Sequence, residues 1–334
     1  MNQQFLIRAS IGTAAVLGLR SVLMDAKPTT AYLMMYHPEG CTANCQFCSQ
    51  ARDSSGSKDK LSRVQWPKFA LNAVVKGLTT SFHQGQLKRA CLQVLNYPNN
   101  FRDITYILQQ IHESCAIPIS LSCYPLSPNE LQILSKIGLQ RIGIPLDGAT
   151  EEIFRKIKGE DAGGPYTWEN QWRGLKDAVK ILGRGRVSTH LIIGLEETEK
   201  EAIQFIQRCI EAGILVGLFA FTPIENTPLG EMDQPALDVY RRIQLVRYLM
   251  MINKLQIEDI LFGSADQIIR LNYDKQTLFQ IVRSGRPFET SGCPHCNRPY
   301  YNERPGGPLY NFPRPLTDIE STRIWSTLKV LVND

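Results

Sequence analysis

Three cysteines stand within eight residues, Cys41, Cys45 and Cys48, in the spacing C-x3-C-x2-C. They follow directly on the apolar run 31–36 (AYLMMY), which reads as a short strand. Cysteine is often a core residue, but three on one polar loop is not core behaviour. Nor is this part of a disulfide framework, because nine cysteines in 334 residues is an odd number in a chain too long to need stapling. Thiols at this density bind a metal or a cluster in a reducing, cytoplasmic compartment. Three thiolates hold three irons of a cubane and leave the fourth iron open. Zinc is the alternative, with His37 available as the fourth ligand that a closed tetrahedron needs.

Around this loop, strand-like and helix-like segments alternate. Strands are expected over 89–95, 117–123, 141–146, 186–194 and 215–221. Helices are expected over 66–77 with Pro67 at the start, and over 101–113, where Ile104, Ile107, Leu108 and Ile111 share one face. Others are expected over 129–137, capped by Ser127 and ended by Gly138, and over 150–158, 168–181, 199–212 and 236–255. One more strand is expected near 259–262. Such alternation means βαβ units and a parallel sheet. At least six units suit an α/β fold of the (βα) TIM-barrel type, complete or partial, with an open doubly wound sheet as the alternative. A barrel gathers its functional residues at the C-terminal strand ends, here Tyr36 onward, 91–96, Cys123, Asp147, Gly194 and Thr222.

Apolar residues at 43% and charged residues at 21% support a sizeable core. The 37 basic and 32 acidic residues leave a charge of only +5, with no long Lys/Arg run, so a dedicated nucleic-acid binder is not expected. No stretch approaches the ~20 apolar residues that span a bilayer, and no membrane role is expected. The segment 11–19 is apolar but short and is interrupted by Gly12, Thr13 and Gly18, so it is read as a first helix rather than a leader.

Cys41, Cys45 and Cys48, with Phe47 ahead of the third, resemble the signature loop of the radical S-adenosylmethionine (SAM) enzymes. The resemblance implies a 4Fe–4S cluster on these cysteines, SAM on its open iron, and a 5′-deoxyadenosyl radical that abstracts hydrogen from an unactivated carbon. The segment 190–198 (HLIIGLEET) resembles the fifth-strand stretch that lines the adenine, which places Ile193 and Gly194 at the cofactor with Phe47. Asp147 resembles the ribose-contacting acid, and Arg173 is a candidate clamp for the SAM carboxylate. On the residues alone, Gly194 is equally a turn glycine, Asp147 a helix cap and Arg173 a solvated helix charge.

A second cysteine set is scattered. Cys293 and Cys296 form a C-x2-C pair, which alone reads as half a zinc ribbon, a redox pair or half an iron–sulfur site. The runs 88–91 (KRAC) and 120–123 (SLSC) resemble biotin synthase, where cysteines at these places ligate an auxiliary cluster. Ser188 stands where that family has a further cysteine, and its late-strand arginine ligand has no clear match. The resemblance implies that Cys91, Cys123, Cys293 and Cys296 share a second 4Fe–4S cluster. On the residues alone, Cys91 and Cys123 are equally packing residues, as Cys115 and Cys209 are read to be.

Five prolines and two glycines over 297–316 exclude helix and predict an extended cover over the barrel mouth. With the biotin-synthase-like core, this tail resembles the archaeal-type two-protein lipoyl synthases. The expected organisation is an N-terminal helical segment over 1–30, a barrel over 31–284, and an extension over 285–334 ending in a helix. The resemblance implies sulfur insertion into an octanoyl chain on a lysine, with the auxiliary cluster as donor. Its implied partners are an octanoylated lipoyl carrier protein or domain, a second related subunit and an electron donor such as ferredoxin. Arg298, Arg304 and Arg314 are candidates for meeting an acidic carrier. Three alternatives stay open: a biotin-synthase-like sulfurtransferase, a radical SAM cofactor maturase whose second cluster donates no sulfur, and a zinc-bound interaction protein.

Overall fold

The computed structural model of the chain describes residues 5–303 and 306–332. The N-terminal thirty residues are not only helical. Strand β1 (Leu6–Ala9) precedes helix α1 (Ile11–Val16), and Ser10 caps that helix by accepting the Thr13 N–H. Strand β2 (Thr30–Met35) is buried along its whole length, as an apolar run inside a barrel wall must be. After the cysteine loop, a small hairpin of β3 (Lys60–Leu61) and β4 (Val64–Gln65) leads to β5 (Lys68–Ala70) and helix α2 (Leu71–His83). The helix expected from residue 66 thus begins later. Residues 68–70 are taken into the sheet by β1, with Ile7 opposite Phe69, and Pro67 precedes that strand rather than a helix.

From β6 onward the expected alternation holds, with boundaries moved by a few residues. The order is β6 (Arg89–Gln93), α3 (Asn100–Ser114), β7 (Ile119–Ser122), α4 (Pro128–Lys136), β8 (Leu139–Gly143) and α5 (Glu151–Ile157). Then come α6 (Trp168–Leu182), β9 (Val187–Ile193), α7 (Glu199–Glu211), β10 (Ile214–Ala220) and α8 (Leu237–Met251). The α4 start shows why. Ser127 accepts the Glu130 N–H, Glu130 reaches back to Ser127, and Pro128 fills the first turn, where its missing N–H costs nothing.

The eight-stranded sheet runs β10-β9-β8-β7-β6-β2-β1-β5. The six strands β2, β6, β7, β8, β9 and β10 are parallel; β1 pairs antiparallel with β2, and β5 antiparallel with β1. β10 does not pair with β2, so the barrel is partial. The strand expected near 259–262 exists as β11 (Ile260–Phe262) but does not continue the barrel. It pairs antiparallel with β12 (Ile268–Leu271) in a separate ribbon. Helices α9 (Lys275–Arg283) and α10 (Asp318–Leu328) frame the C-terminal extension.

The described part of the extension reaches the C-terminal strand ends at one edge, where Asn302 donates to Thr222 Oγ1 (3.1 Å) and the Tyr301 carbonyl accepts from Ser62 (2.5 Å). It closes the opening between β10 and β2 and the end where the strands begin. On one side the Leu218 N–H donates to Ser291 Oγ (2.7 Å), and Asn302 Nδ2 donates to the Ala220 carbonyl (2.9 Å). On the other side the hydroxyls of Thr29 and Thr30 donate to the His295 carbonyl (2.7 and 2.8 Å). The Asn297 and Arg298 N–H groups donate to the Tyr32 hydroxyl (3.0 and 2.7 Å). Helix α8 anchors the second half. Tyr240 donates to Asn311 (3.0 Å), and Arg241 donates to the carbonyls of Tyr310 (2.7 Å) and Leu309. The buried Glu303 carboxylate accepts the N–H groups of Asn302 (3.0 Å) and Asn311 (2.9 Å). No helix among the described residues is long and apolar enough to cross a membrane.

Candidate functional site

Inside the partial barrel lies one cavity of about 300 Å³, and the cysteines stand toward its two ends. At the C-terminal strand ends, the loop after β2 carries Cys41, Cys45 and Cys48, all three lining the cavity. The loop is held by backbone groups of its neighbours. The Thr42 N–H donates to the Asn96 carbonyl (2.7 Å), the Asn96 N–H donates to Cys41 Sγ (3.2 Å), and the Gln46 N–H donates to the Ile157 carbonyl (2.8 Å). Asn44 donates to Asp53 (2.9 Å) and to the Ala162 carbonyl (2.7 Å). Burial pushes the Cys45 thiol well up and the Cys48 thiol to about 11. Thiols so buried stay protonated until a cation draws out the thiolate, which suits a metal-loaded loop. Phe47 packs nearby with Leu195, Phe221 and Ile153.

Asp147 stands at the end of the fourth parallel strand, as expected, and is buried with a left-handed φ of 68°. It caps no helix, since Thr150 does that for α5. Its Oδ2 instead accepts from Lys158 Nζ at 2.7 Å, and its Oδ1 lies 3.9 Å from His190 Nδ1. Burial pushes the His190 imidazole down to about 4, so it is neutral near pH 7. On β9, His190 and Ile192 line the cavity, whereas Ile193 points into the buried layer behind it. Gly194 follows with φ +104°, a conformation that favours glycine, and its N–H donates to Glu197 (2.7 Å). Arg173 is not brought to the site. It is exposed on α6 and donates to Asn170 one turn away (2.5 Å).

Toward the other end, the extension carries Cys293 and Cys296 in beside the strand starts. Cys296 Sγ is 3.5 Å from the Tyr32 hydroxyl, and Ser120 Oγ is 3.7 Å from Cys293 Sγ. Cys91 is the register partner of Ser120 and faces the same space. Its thiol is pushed well up by burial and by the neighbouring Cys293 and Cys296. Cys123 lies apart from these three. It is three residues beyond Ser120 on the same ladder, where its N–H donates to the Gly143 carbonyl (3.0 Å). At ~3.3 Å per residue that is roughly 10 Å toward the opposite end. Burial and Glu130, not the other cysteines, push its thiol up. The expected four-cysteine set is therefore three cysteines with Ser120. Cys115 and Cys209 are buried core residues.

Sequence reasoning missed the residues between the cysteines. Tyr32, Lys158, His190 and Arg298 all line the cavity. Two-residue alternation along β2 and β9 would have found Tyr32 and His190, and would have favoured Ile192 over Ile193. Nothing local marks Lys158. Arg298, expected to face a partner, turns inward over the Phe219 ring (3.9 Å) and donates to the Ser291 carbonyl (2.9 Å). Arg314 is held by Glu320 (2.9 Å), and Arg304 lies outside the described residues. The zinc reading finds no tetrahedron. Among the described residues no three His, Cys, Asp or Glu side chains converge as a single ion requires, and the His37 ring stacks on Tyr97 at 4.3 Å. A multi-iron cluster spreads its thiolates farther, and the all-sulfur donor set fits it.

Comparison with known proteins bears on the fold and the family. The FeFe-hydrogenase maturase HydG from Carboxydothermus hydrogenoformans is 15% identical, with a TM-score of 0.51 over 73% of this chain and 56% of its own. Another HydG structure gives 13% and 0.50 over 68% of this chain and 51% of its own, so the chain spans about half the length of either. Methylornithine synthase (PylB) is 15% identical, with 0.49 over 73% of this chain and 68% of its own. At these identities the likeness is one of fold. No curated protein sequence matches the chain. Residues 35–209, from the end of β2 through most of α7, match the family described as the Radical SAM superfamily. That span is more than half of the chain and contains the cysteine loop at its start, and this protein belongs to the radical SAM superfamily.

Proposed function

We propose that this protein inserts sulfur into a protein-bound octanoyl-lysine chain, forming one of the two C–S bonds of a lipoyl group, at carbon 6 or carbon 8. The observation that carries this reading is the pair of cysteine groups toward opposite ends of one cavity. When bound, the family's 4Fe–4S cluster and SAM supply a carbon-centred radical, and a second cluster on Cys91, Cys293 and Cys296 would supply sulfide. The chain's own residues do the rest. Asp147 lines the cavity, and in this reading it would face the nucleoside of the bound cofactor. Leu121, Ile192, Phe219 and Phe221 give the middle of the cavity an apolar wall for an acyl chain, and neutral His190 adds no charge there. The extension closes over the end where the strands begin, which limits the access of water to a reactive radical.

The partners in this reading are an octanoylated lipoyl carrier protein or domain, a second related subunit for the other insertion, and a low-potential electron donor such as ferredoxin. Anaerobic turnover with an octanoyl-lysine peptide tests it: the product should gain one sulfur by mass. Deoxyadenosine formation with no sulfur in any product would reject it. A second reading has an observation in its favour. Three cysteines leave one iron of a second cubane without a thiolate, which suits a cluster that binds a ligand rather than donates sulfur. That would make the protein a cofactor maturase, and the same mass measurement separates the two.

A further inference from the structure

Lys158 ends α5, and its side chain turns inward, where only 2% of it is exposed. Its Nζ lies over the rings of Phe154 (5.8 Å to the centroid) and Tyr166 (5.1 Å). Nζ donates to the Pro145 carbonyl (2.8 Å) and to Asp147 Oδ2 (2.7 Å). An ammonium buried this deeply is costly, and such charges persist when they are paired or when they serve a site. The turn that carries it is fastened to the cysteine loop: Gln46 bonds the Ile157 carbonyl (2.8 Å) and Asn44 the Ala162 carbonyl (2.7 Å). Gly164 makes that turn tight, because a Cβ there would meet the Lys158 carbonyl at 2.0 Å. The ammonium is thus a fixed charge in the wall that also carries Cys45.

We propose that Lys158 sets the reduction potential of the cluster held by Cys41, Cys45 and Cys48, through a buried ammonium fixed at the Cys45 corner of that site. The inference rests on superfamily membership and not on the sulfur-insertion reading. Reduction adds one electron to a cluster already carrying thiolate charge. A cation held close by in a low-dielectric wall favours the reduced form. Asp147 offsets this only in part, because it is the turn carrying the ammonium, through Ile157 and Ala162, that is bonded to the Cys45 loop. Lys58 is the other lysine acting on this loop, at Cys48, and it is half-buried, so solvent screens it more.

The test is an anaerobic redox titration of the full-length reconstituted protein, without SAM, followed by electron paramagnetic resonance. It is run with Cys293→Ala and Cys296→Ala in place, so that one cluster reports. Lys158→Met should lower the one-electron reduction equilibrium constant about tenfold, which is about 59 mV. Lys158→Arg should stay within about threefold of the parent, and Lys58→Met should shift less than Lys158→Met. Should Lys158→Met fail to hold iron, Asp147→Asn with Lys158→Met removes the unpaired carboxylate and should still titrate below the parent. An unchanged potential in either charge-removing variant overturns the proposal. So does loss of the cluster from both with retention in Lys158→Arg, which would make the ammonium a structural tie.

Discussion

The two ends of the cavity are built in opposite ways. The upper end is local: three cysteines on one loop, held by Asn96, Ile157 and Ala162 through backbone contacts that need no particular side chain at those positions. The lower end is assembled: Cys91 comes from β6, and Cys293 and Cys296 arrive about two hundred residues later on an extension fastened to Thr29, Thr30 and Tyr32. The first draws all its cysteines from one segment and needs its neighbours only for backbone contacts. The second exists only once the partial barrel has formed and the extension has docked. A site of the first kind tolerates change elsewhere, and a site of the second kind inherits every weakness of the docking.

The largest expected effect separates the ends outright. Replacing Cys41, Cys45 and Cys48 by Ala should abolish 5′-deoxyadenosine formation and remove about half of roughly eight irons in the reconstituted protein. Deoxyadenosine at the wild-type rate in that variant would show that the upper end is misassigned. Replacing Cys293 and Cys296 by Ala should instead remove sulfur transfer while SAM cleavage stays within about threefold. Cys91→Ala should behave like that pair, and Cys123→Ala should keep its iron. A Cys123→Ala protein that loses half its iron would return Cys123 to the lower set.

This contrast also explains what could be read in advance. The upper loop was legible because its chemistry lies in contiguous spacing, and the strands because their apolar runs are dictated by burial on both faces. The helix placed over 66–77 failed for a non-local reason: residues 68–70 become a strand because β1, more than sixty residues away, offers them a free edge. Cys123 and Cys91 look equivalent in sequence, each ending a similar four-residue run, but the register sets Cys91 opposite Ser120. Arg173 is a basic residue on a helix, and Lys158 is one at the end of a helix. Only the turn after α5 sends one of them inside, and no sequence period records that turn.

A smaller effect sharpens the account of the docking. The extension has two anchors: α8 holds residues 309–311 through Tyr240 and Arg241, and the cysteine-bearing part rests on Tyr32 and two threonines. Hydrogen exchange should therefore protect 302–303 and 309–312 with or without iron, and should protect 291–300 more when iron is bound. Equal change in both parts would mean that the extension moves as one piece.

The smallest effect is at the foot of the extension. Arg314 and the start of α10 hold the Glu320 carboxyl down at about 2, by hydrogen bonding to Arg314 first. A depressed carboxyl adds stability above its unfolded value of about 4.3 and loses it as pH falls toward 2. Acid titration followed by circular dichroism should show the wild type gradually losing its advantage over Glu320→Gln between about pH 4 and pH 2. A constant difference through that window would remove this pair from the account.

The central claim is that iron is held toward two ends of one cavity by two differently built cysteine sets. Anomalous diffraction at the iron edge, from anaerobically reconstituted crystals, tests it most directly. The account predicts two iron clusters, one within bonding distance of Cys41, Cys45 and Cys48, the other of Cys91, Cys293 and Cys296, with Cys123 bound to neither. Iron at the upper set alone, or Cys123 bonded to the lower cluster, would contradict it.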